Sequence, residues 1–211
     1  MNPNELDILA LKYGTDKSSE HHDYTKFYNQ FFYSNKNEVK NVLEIGVFRG
    51  NSLRMWRDYF INAMIYGIDI DINCKFEEER IKVLINDQIN TNIINLLPNN
   101  FDVIIDDGGH QSTQQIKSFE ILFPSVKSGG VYIVEDACCL YWSEYNIGSN
   151  QTAIEYFKTL VDHVNFFGSV TNGLYQRNRE IILKNKENVS FFEKNIDYIL
   201  FTNSIILIKK I

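Results

Sequence analysis

Cysteine, proline and surplus positive charge are all scarce in this chain. Its three cysteines, Cys74, Cys138 and Cys139, are too few and odd in number to build a disulfide framework. The paired-cysteine spacing of zinc ribbons is absent as well. Three prolines and scattered glycines leave no flexible tract, and no repeat or low-complexity segment is visible. Lys plus Arg number 21 against 27 Asp plus Glu, a formal net charge of −6. That excludes a generic electrostatic grip on nucleic acid, which needs a basic surface to displace counterions. No apolar run reaches the ~18 residues of a membrane-spanning helix. The segment Met1 to Ala10 carries Glu5 and Asp7 and no basic side chain, so it does not read as a secretory signal. The expected compartment is the reducing cytoplasm. What remains is 211 residues, 44% apolar and 23% charged, the usage of a single globular domain.

The hydrophobic pattern alternates between two periods. Asn4 is placed to cap a helix from Glu5 to about Tyr13, with Gly14 as its stop. Asp23 is placed to cap a second helix carrying Phe27, Tyr28, Phe31 and Phe32. That aromatic face must pack on the main domain or on a second copy of the chain. Residues 1–35 thus read as a helical extension and 36–211 as the main domain. In the main domain, strands are expected at Val42 to Val47, Met64 to Ile70, Ile81 to Ile85, Phe101 to Asp106 and Gly130 to Val134. Helices are expected at Ser52 to Phe60, Gln114 to Val126 and Thr152 to Val164. Tyr198 to Phe201 and Ser204 to Ile208 are β-rich and separated only by Thr202 and Asn203, so the last strand should run antiparallel. The prediction is an α/β, Rossmann-like, mostly parallel seven-stranded sheet with helices on both faces and an antiparallel last strand.

Ligands of such sheets sit at the carboxyl ends of the strands. Acidic and polar residues gather there throughout. Glu44-Ile45-Gly46-Val47-Phe48-Arg49-Gly50 is a strand, a glycine loop and the start of a helix. The G-x-G-x-x-G spacing is missing, so a pyrophosphate cradle is disfavoured. Asp69 follows the second strand, where a carboxylate can accept from both hydroxyls of a ribose. Asp87 and Gln88 follow the third and could meet a purine edge. This arrangement resembles the class I S-adenosylmethionine-dependent methyltransferases. The resemblance implies a cofactor site at Glu44, Gly46, Arg49, Ser52, Asp69, Asp71, Asp87, Gln88 and Asp106.

Two further strand ends carry a denser cluster. Asp106-Asp107-Gly108-Gly109-His110 follows the fourth strand and Glu135-Asp136 the fifth. Neighbouring strand ends lie about 5 Å apart. Asp107, Glu135 and Asp136 can therefore converge, and their mutual repulsion calls for a cation. Oxygen ligands favour Mg²⁺ or another hard divalent ion. His110 lies beside them, and an unperturbed imidazole pKa of about 6.5 suits a general base. The runs Leu43 to Trp56, Tyr66 to Asp71, Ile104 to His110, Tyr132 to Asp136 and Lys12 to Lys17 are similar to those of the macrolide-sugar O-methyltransferases of the mycinamicin type. The match extends from about Leu11 to Trp142, with Gly109 where a serine is frequent. The long N-terminal domain of the macrolide enzymes is expected to be missing, and the C-terminal third matches weakly.

The resemblance implies Mg²⁺ on Asp107, Glu135 and Asp136, and His110 as the base. The expected activity is methyl transfer to a sugar hydroxyl, on a small sugar or sugar conjugate, in natural-product or surface-polysaccharide biosynthesis. A nitrogen, a phosphate-derived group or a diol as acceptor, and a non-catalytic cofactor-binding subunit, are the alternatives. Tyr141 and Trp142 are open to two readings, an acceptor wall or core packing. His21 and His22 are expected at the surface, His163 in a structural role, and Cys138-Cys139 in packing beneath the loop.

Overall fold

The computed structural model describes residues 4–166, 168, 178–185 and 187–211. Eight strands form one sheet: β1 (Asn41–Ile45), β2 (Met64–Asp69), β3 (Glu77–Glu78), β4 (Ile81–Ile85), β5 (Phe101–Asp106), β6 (Val126–Val134), β7 (Ile196–Phe201) and β8 (Ile206–Lys210). Their spatial order is β3-β4-β2-β1-β5-β6-β8-β7. The inner strands β4, β2, β1, β5 and β6 pair in parallel, whereas β8 runs antiparallel between β6 and β7.

The expectation of seven strands falls short by one. β3 is only two glutamates long and pairs antiparallel with β4. Glutamate has little intrinsic preference for strands. This pair is held from outside, because Glu78 receives Arg54 at 2.7 Å and Arg57 at 3.0 Å.

The helices are α1 (Glu5–Tyr13), α2 (Tyr24–Phe32), α3 (Asn51–Tyr59), α4 (Ser112–Leu122), α5 (Ala153–Val164), α6 (Arg179–Asn185) and α7 (Phe191–Asn195). Asn4 caps α1 by accepting from the Asp7 N–H, and Gly14 closes it at φ 66°. Asp23 stands at the cap of α2, but at φ 55° its side chain makes no capping bond. The helix expected over Gln114 to Val126 stops at Leu122. Pro124 offers no N–H to continue it, and the chain turns through Phe123–Ser125 directly into β6.

Alternation along the strands sorts the core into two layers. Val42, Val103, Ile105, Val131 and Ile133 face α1, α2 and α3, where Trp56 and Phe60 meet Tyr28 and Phe32. The aromatic face of α2 therefore packs against α3 within the chain. Leu43, Ile104, Tyr132 and Val134 face α4 and α5, where Phe119, Leu122 and Phe157 are wholly buried. Each such large apolar side chain contributes roughly 1.5–3 kcal/mol by leaving water. Among the described residues, no helix is long and apolar enough to cross a membrane.

Candidate active site

The larger cavity, about 580 Å³, opens at the carboxyl ends of β1, β2, β4 and β5. Its first wall is the loop after β1. Gly46 sits at φ 90°, and a Cβ there would collide with the Asp107 carbonyl oxygen. Glycine is thus required both by backbone conformation and by close approach. The N–H groups of Val47 and Phe48 then donate to Asp69 Oδ2 at 2.9 and 3.1 Å, and the Asp71 N–H to Oδ1 at 2.9 Å. Burial opposes ionisation of Asp69, but these three donors outweigh it and hold the carboxyl below its ordinary range. A carboxylate oxygen has two lone pairs; both on Oδ2 are taken, and Oδ1 keeps one with which to accept from a ligand hydroxyl.

Gly46, Arg49, Ser52, Asp69, Asp71, Asp87 and Gln88 all line this cavity. Glu44 and Asp106 do not, although both were expected among the cofactor residues. Each is fully buried behind the cavity floor. Glu44 accepts from Ser52 Oγ at 2.7 Å and Trp56 Nε1 at 3.2 Å. Asp106 accepts from the Ser118 hydroxyl and from Tyr132 at 2.8 Å. Burial nevertheless pushes the Asp106 carboxyl up to about 6 against those two bonds. Gln88 has a structural task besides lining: its Oε1 accepts the Gly109 N–H at 3.2 Å, and its Nε2 lies 3.4 Å from Asp106.

The second wall of the same cavity carries Asp107, His110 and Asp136. One ligand atom from each lies within 4.8 Å of the others. His110 Nε2 is 3.5 Å from Asp136 Oδ2 and 4.0 Å from Asp107 Oδ1. His110 and Asp136 both adopt left-handed backbone, φ 54° and 52°. Non-glycine residues rarely do so, and such strain collects at functional sites. His110 Nδ1 is buried with no hydrogen-bond partner. Two carboxylates and an imidazole whose buried Nδ1 lacks a partner, all in one cavity, fit a hard divalent ion with a base beside it.

Glu135, the third expected ligand, lies just behind. Its Oε1 accepts from Tyr28 at 2.5 Å and its Oε2 from Lys17 at 2.6 Å. Lys17 also binds Asp107 Oδ2 at 2.6 Å and lies 3.4 Å from Glu44. Burial raises the carboxyl of Glu135; the Lys17 ammonium opposes that rise, while Asp107 and Glu44 add to it. Tyr24 donates to Asp136 Oδ1 at 2.5 Å, so Oδ2 is the oxygen turned to His110. Lys17, Tyr24 and Tyr28 were not among the expected site residues. Lys17 belongs to the Lys12 to Lys17 run that carried part of the resemblance, and that run was the one available signal.

The chain after Asp136 folds over this end. Tyr141 and Trp142 are exposed rather than core, and Tyr145 stands edge-on to His110 with ring centres 6.3 Å apart. Cys139 is buried and Cys138 exposed. His21 and His22 are at the surface. His163 lies 3.3 Å from Ser190 Oγ on the α5 side.

No family model matches the chain. Demethylmacrocin O-methyltransferase of Streptomyces fradiae is 35% identical to it over 173 residues, which are 75% of this chain and 44% of that protein. Mycinamicin VI 2''-O-methyltransferase of Micromonospora griseorubida is 33% identical over 175 residues, 76% of this chain and 44% of that protein. The chain is related to the S-adenosylmethionine-dependent macrolide-sugar O-methyltransferases. The structure of the MycE methyltransferase of mycinamycin biosynthesis, in complex with Mg, SAH and mycinamycin VI, aligns with a TM-score of 0.81 at 28% identity. That alignment covers 99% of this chain and 54% of MycE. The sheet is accordingly the Rossmann-like methyltransferase fold. The chain spans about half the length of these macrolide-sugar relatives.

Proposed function

We propose that the chain transfers a methyl group from S-adenosylmethionine to a sugar hydroxyl of a glycosylated small molecule, with a divalent ion such as Mg²⁺. One observation carries this: Asp69 and Gly46 line the same cavity as Asp107, His110 and Asp136. A cofactor held at the first wall faces chemistry held at the second. Relatedness to enzymes named for methylating macrolide and tetracenomycin sugars supports the acceptor class.

In this mechanism Asp69 accepts from a ribose hydroxyl at Oδ1, and Gly46 lets the backbone close on the cofactor. Asp107 and Asp136 hold the ion, with Glu135 directly behind; each Glu135 oxygen keeps a second lone pair with which to join them. When bound, the ion polarises the acceptor oxygen and lowers its pKa. His110 takes the hydroxyl proton at Nε2, which faces Asp136 at 3.5 Å and Asp107 at 4.0 Å. The oxygen forms its bond to the methyl carbon as the carbon–sulfur bond breaks. A methyl ether and S-adenosylhomocysteine leave, and His110 returns its proton to solvent. Most of the acceleration comes from holding donor and acceptor in line. The exposed rings of Tyr141 and Trp142, with the half-buried Tyr145 beside Trp142, offer a face for the sugar.

The test is S-adenosylhomocysteine release from a panel of rhamnosyl and deoxysugar glycosides, with Mg²⁺ and with a chelator. Turnover on a glycoside that stops on chelation is expected. Turnover on an amine, or undiminished turnover in chelator, would overturn the reading.

A further inference from the structure

The ammonium of Lys17 is buried to 1% exposure and lies against three carboxylates of the site floor, Asp107, Glu135 and Glu44. Lysine is seldom buried so fully without a purpose for its charge. Its segment joins α1 to α2 and is fixed on both sides. The Lys17 carbonyl accepts the Thr25 N–H at 3.1 Å. Buried Asp7 takes the Ser19 N–H at 2.8 Å, the Ser19 hydroxyl at 2.7 Å and the Thr25 hydroxyl at 3.0 Å. The side chain is therefore a strut with an anchored base and a charged tip.

The tip makes a selection. It takes Oδ2 of Asp107, which leaves Oδ1 as the oxygen nearest His110. It takes Oε2 of Glu135 while Tyr28 holds Oε1, so neither oxygen can swing. Without the ammonium, Asp107 could rotate either oxygen outward or turn from the cavity, since no other side-chain hydrogen bond to it is recorded among the described residues.

The geometry points to Lys17 as a positioning residue that fixes the outward oxygen of Asp107 and the orientation of Glu135 for the divalent ion. This rests on the ion-dependent function proposed above. It assigns to the segment before α2 a part in the chemistry, not only in packing. Lys17 does not line the cavity, so its loss should spare cofactor binding.

The experiment uses Mn²⁺ as the probe, titrated by electron paramagnetic resonance without acceptor, alongside calorimetry with S-adenosylhomocysteine and steady-state kinetics. Lys17→Met keeps the length of the side chain and removes its charge. Partners behind a ligand typically govern affinity or rate by roughly 10–100-fold. Mn²⁺ affinity and kcat are each expected to fall at least about tenfold on that scale. S-adenosylhomocysteine affinity should stay within about threefold, and the acceptor KM should change less than kcat. Unchanged Mn²⁺ affinity and kcat in the folded variant would overturn the proposal. Should Lys17→Met not fold, Lys17→Met/Glu44→Gln removes one buried negative charge with the positive one. The same losses are expected there; wild-type Mn²⁺ affinity and kcat in the double variant would show that Lys17 only balances charge, and would overturn the proposal. Wild-type protein that binds S-adenosylhomocysteine but no Mn²⁺ would remove the ion itself from the mechanism, a failure distinct from unchanged variants of an ion-binding protein.

Discussion

The two walls of the cavity hold their carboxylates by opposite means. At the β1–β2 edge, Asp69 is gripped by three neutral backbone N–H groups and is held below the ordinary carboxyl range. At the β5–β6 edge, Glu135 and Asp107 are buried among like charges, raised by burial, and held by the Lys17 ammonium. The first edge is complete without any ion. The second concentrates negative charge that a positive partner must answer. Binding of the cofactor and binding of the ion should therefore be separable.

The largest effect should come from breaking the charged edge. Asp107→Ala, or chelation of the wild type, is expected to abolish methyl transfer, while calorimetry still registers S-adenosylhomocysteine; joint loss of both would end the separation of the edges. His110→Ala follows, with a drop of ~10²–10⁴ in turnover, the range typical of a lost general base. Its Mn²⁺ titration should stay close to wild type, and a collapse of ion binding would make His110 a ligand instead. Asp69→Ala strikes the neutral edge. A lost charge-assisted hydrogen bond is worth ~1.5–3 kcal/mol, so cofactor affinity should weaken by roughly 10–100-fold with Mn²⁺ affinity unchanged. Equal weakening of both ligands would sink the comparison.

The smallest expected effect is on stability against pH. Asp106, behind the floor between the edges, has its carboxyl pushed up to about 6, above the ~3.9 of an unfolded aspartate. A raised folded value means that the folded chain holds the proton more tightly. The contribution to stability is complete below about pH 4 and lost as pH rises through about 6. The melting temperature of Asp106→Asn, subtracted from that of the wild type, should change between pH 4 and 6 and stay level above 7. A flat difference throughout that range would mean that Asp106 is ionised in the fold under all these conditions.

The neutral edge was the more legible in the sequence. Gly46, Arg49, Ser52 and Asp69 lie within one strand–loop–helix–strand unit, where local pattern and spacing suffice. Asp107, His110 and Asp136 are near strand ends too, so their meeting follows from parallel pairing of β5 with β6. Lys17, Tyr24 and Tyr28 could not be placed at the site from local pattern, although Lys17 closes the Lys12 to Lys17 run that carried part of the resemblance. Lys17 is 118 residues from Glu135, and Tyr24 is 112 from Asp136. A tyrosine in an aromatic helix face is indistinguishable from core until its hydroxyl partner is known. Glu44 and Asp106, expected at the cofactor from their place at strand ends, are turned by strand alternation to Ser52 and Trp56 and to Ser118 and Tyr132 respectively, and neither lines the cavity. β3 was invisible because arginines from α3, not β-propensity, hold its Glu78.

The contact between Gly46 and the Asp107 carbonyl has a consequence for redesign. With no side chain between them, the two loops touch backbone to backbone, and any residue larger than glycine at 46 would wedge them apart and change the spacing of the two walls. A worker seeking bulkier acceptors should leave this gauge alone and vary Tyr141 and Trp142, whose side chains are exposed.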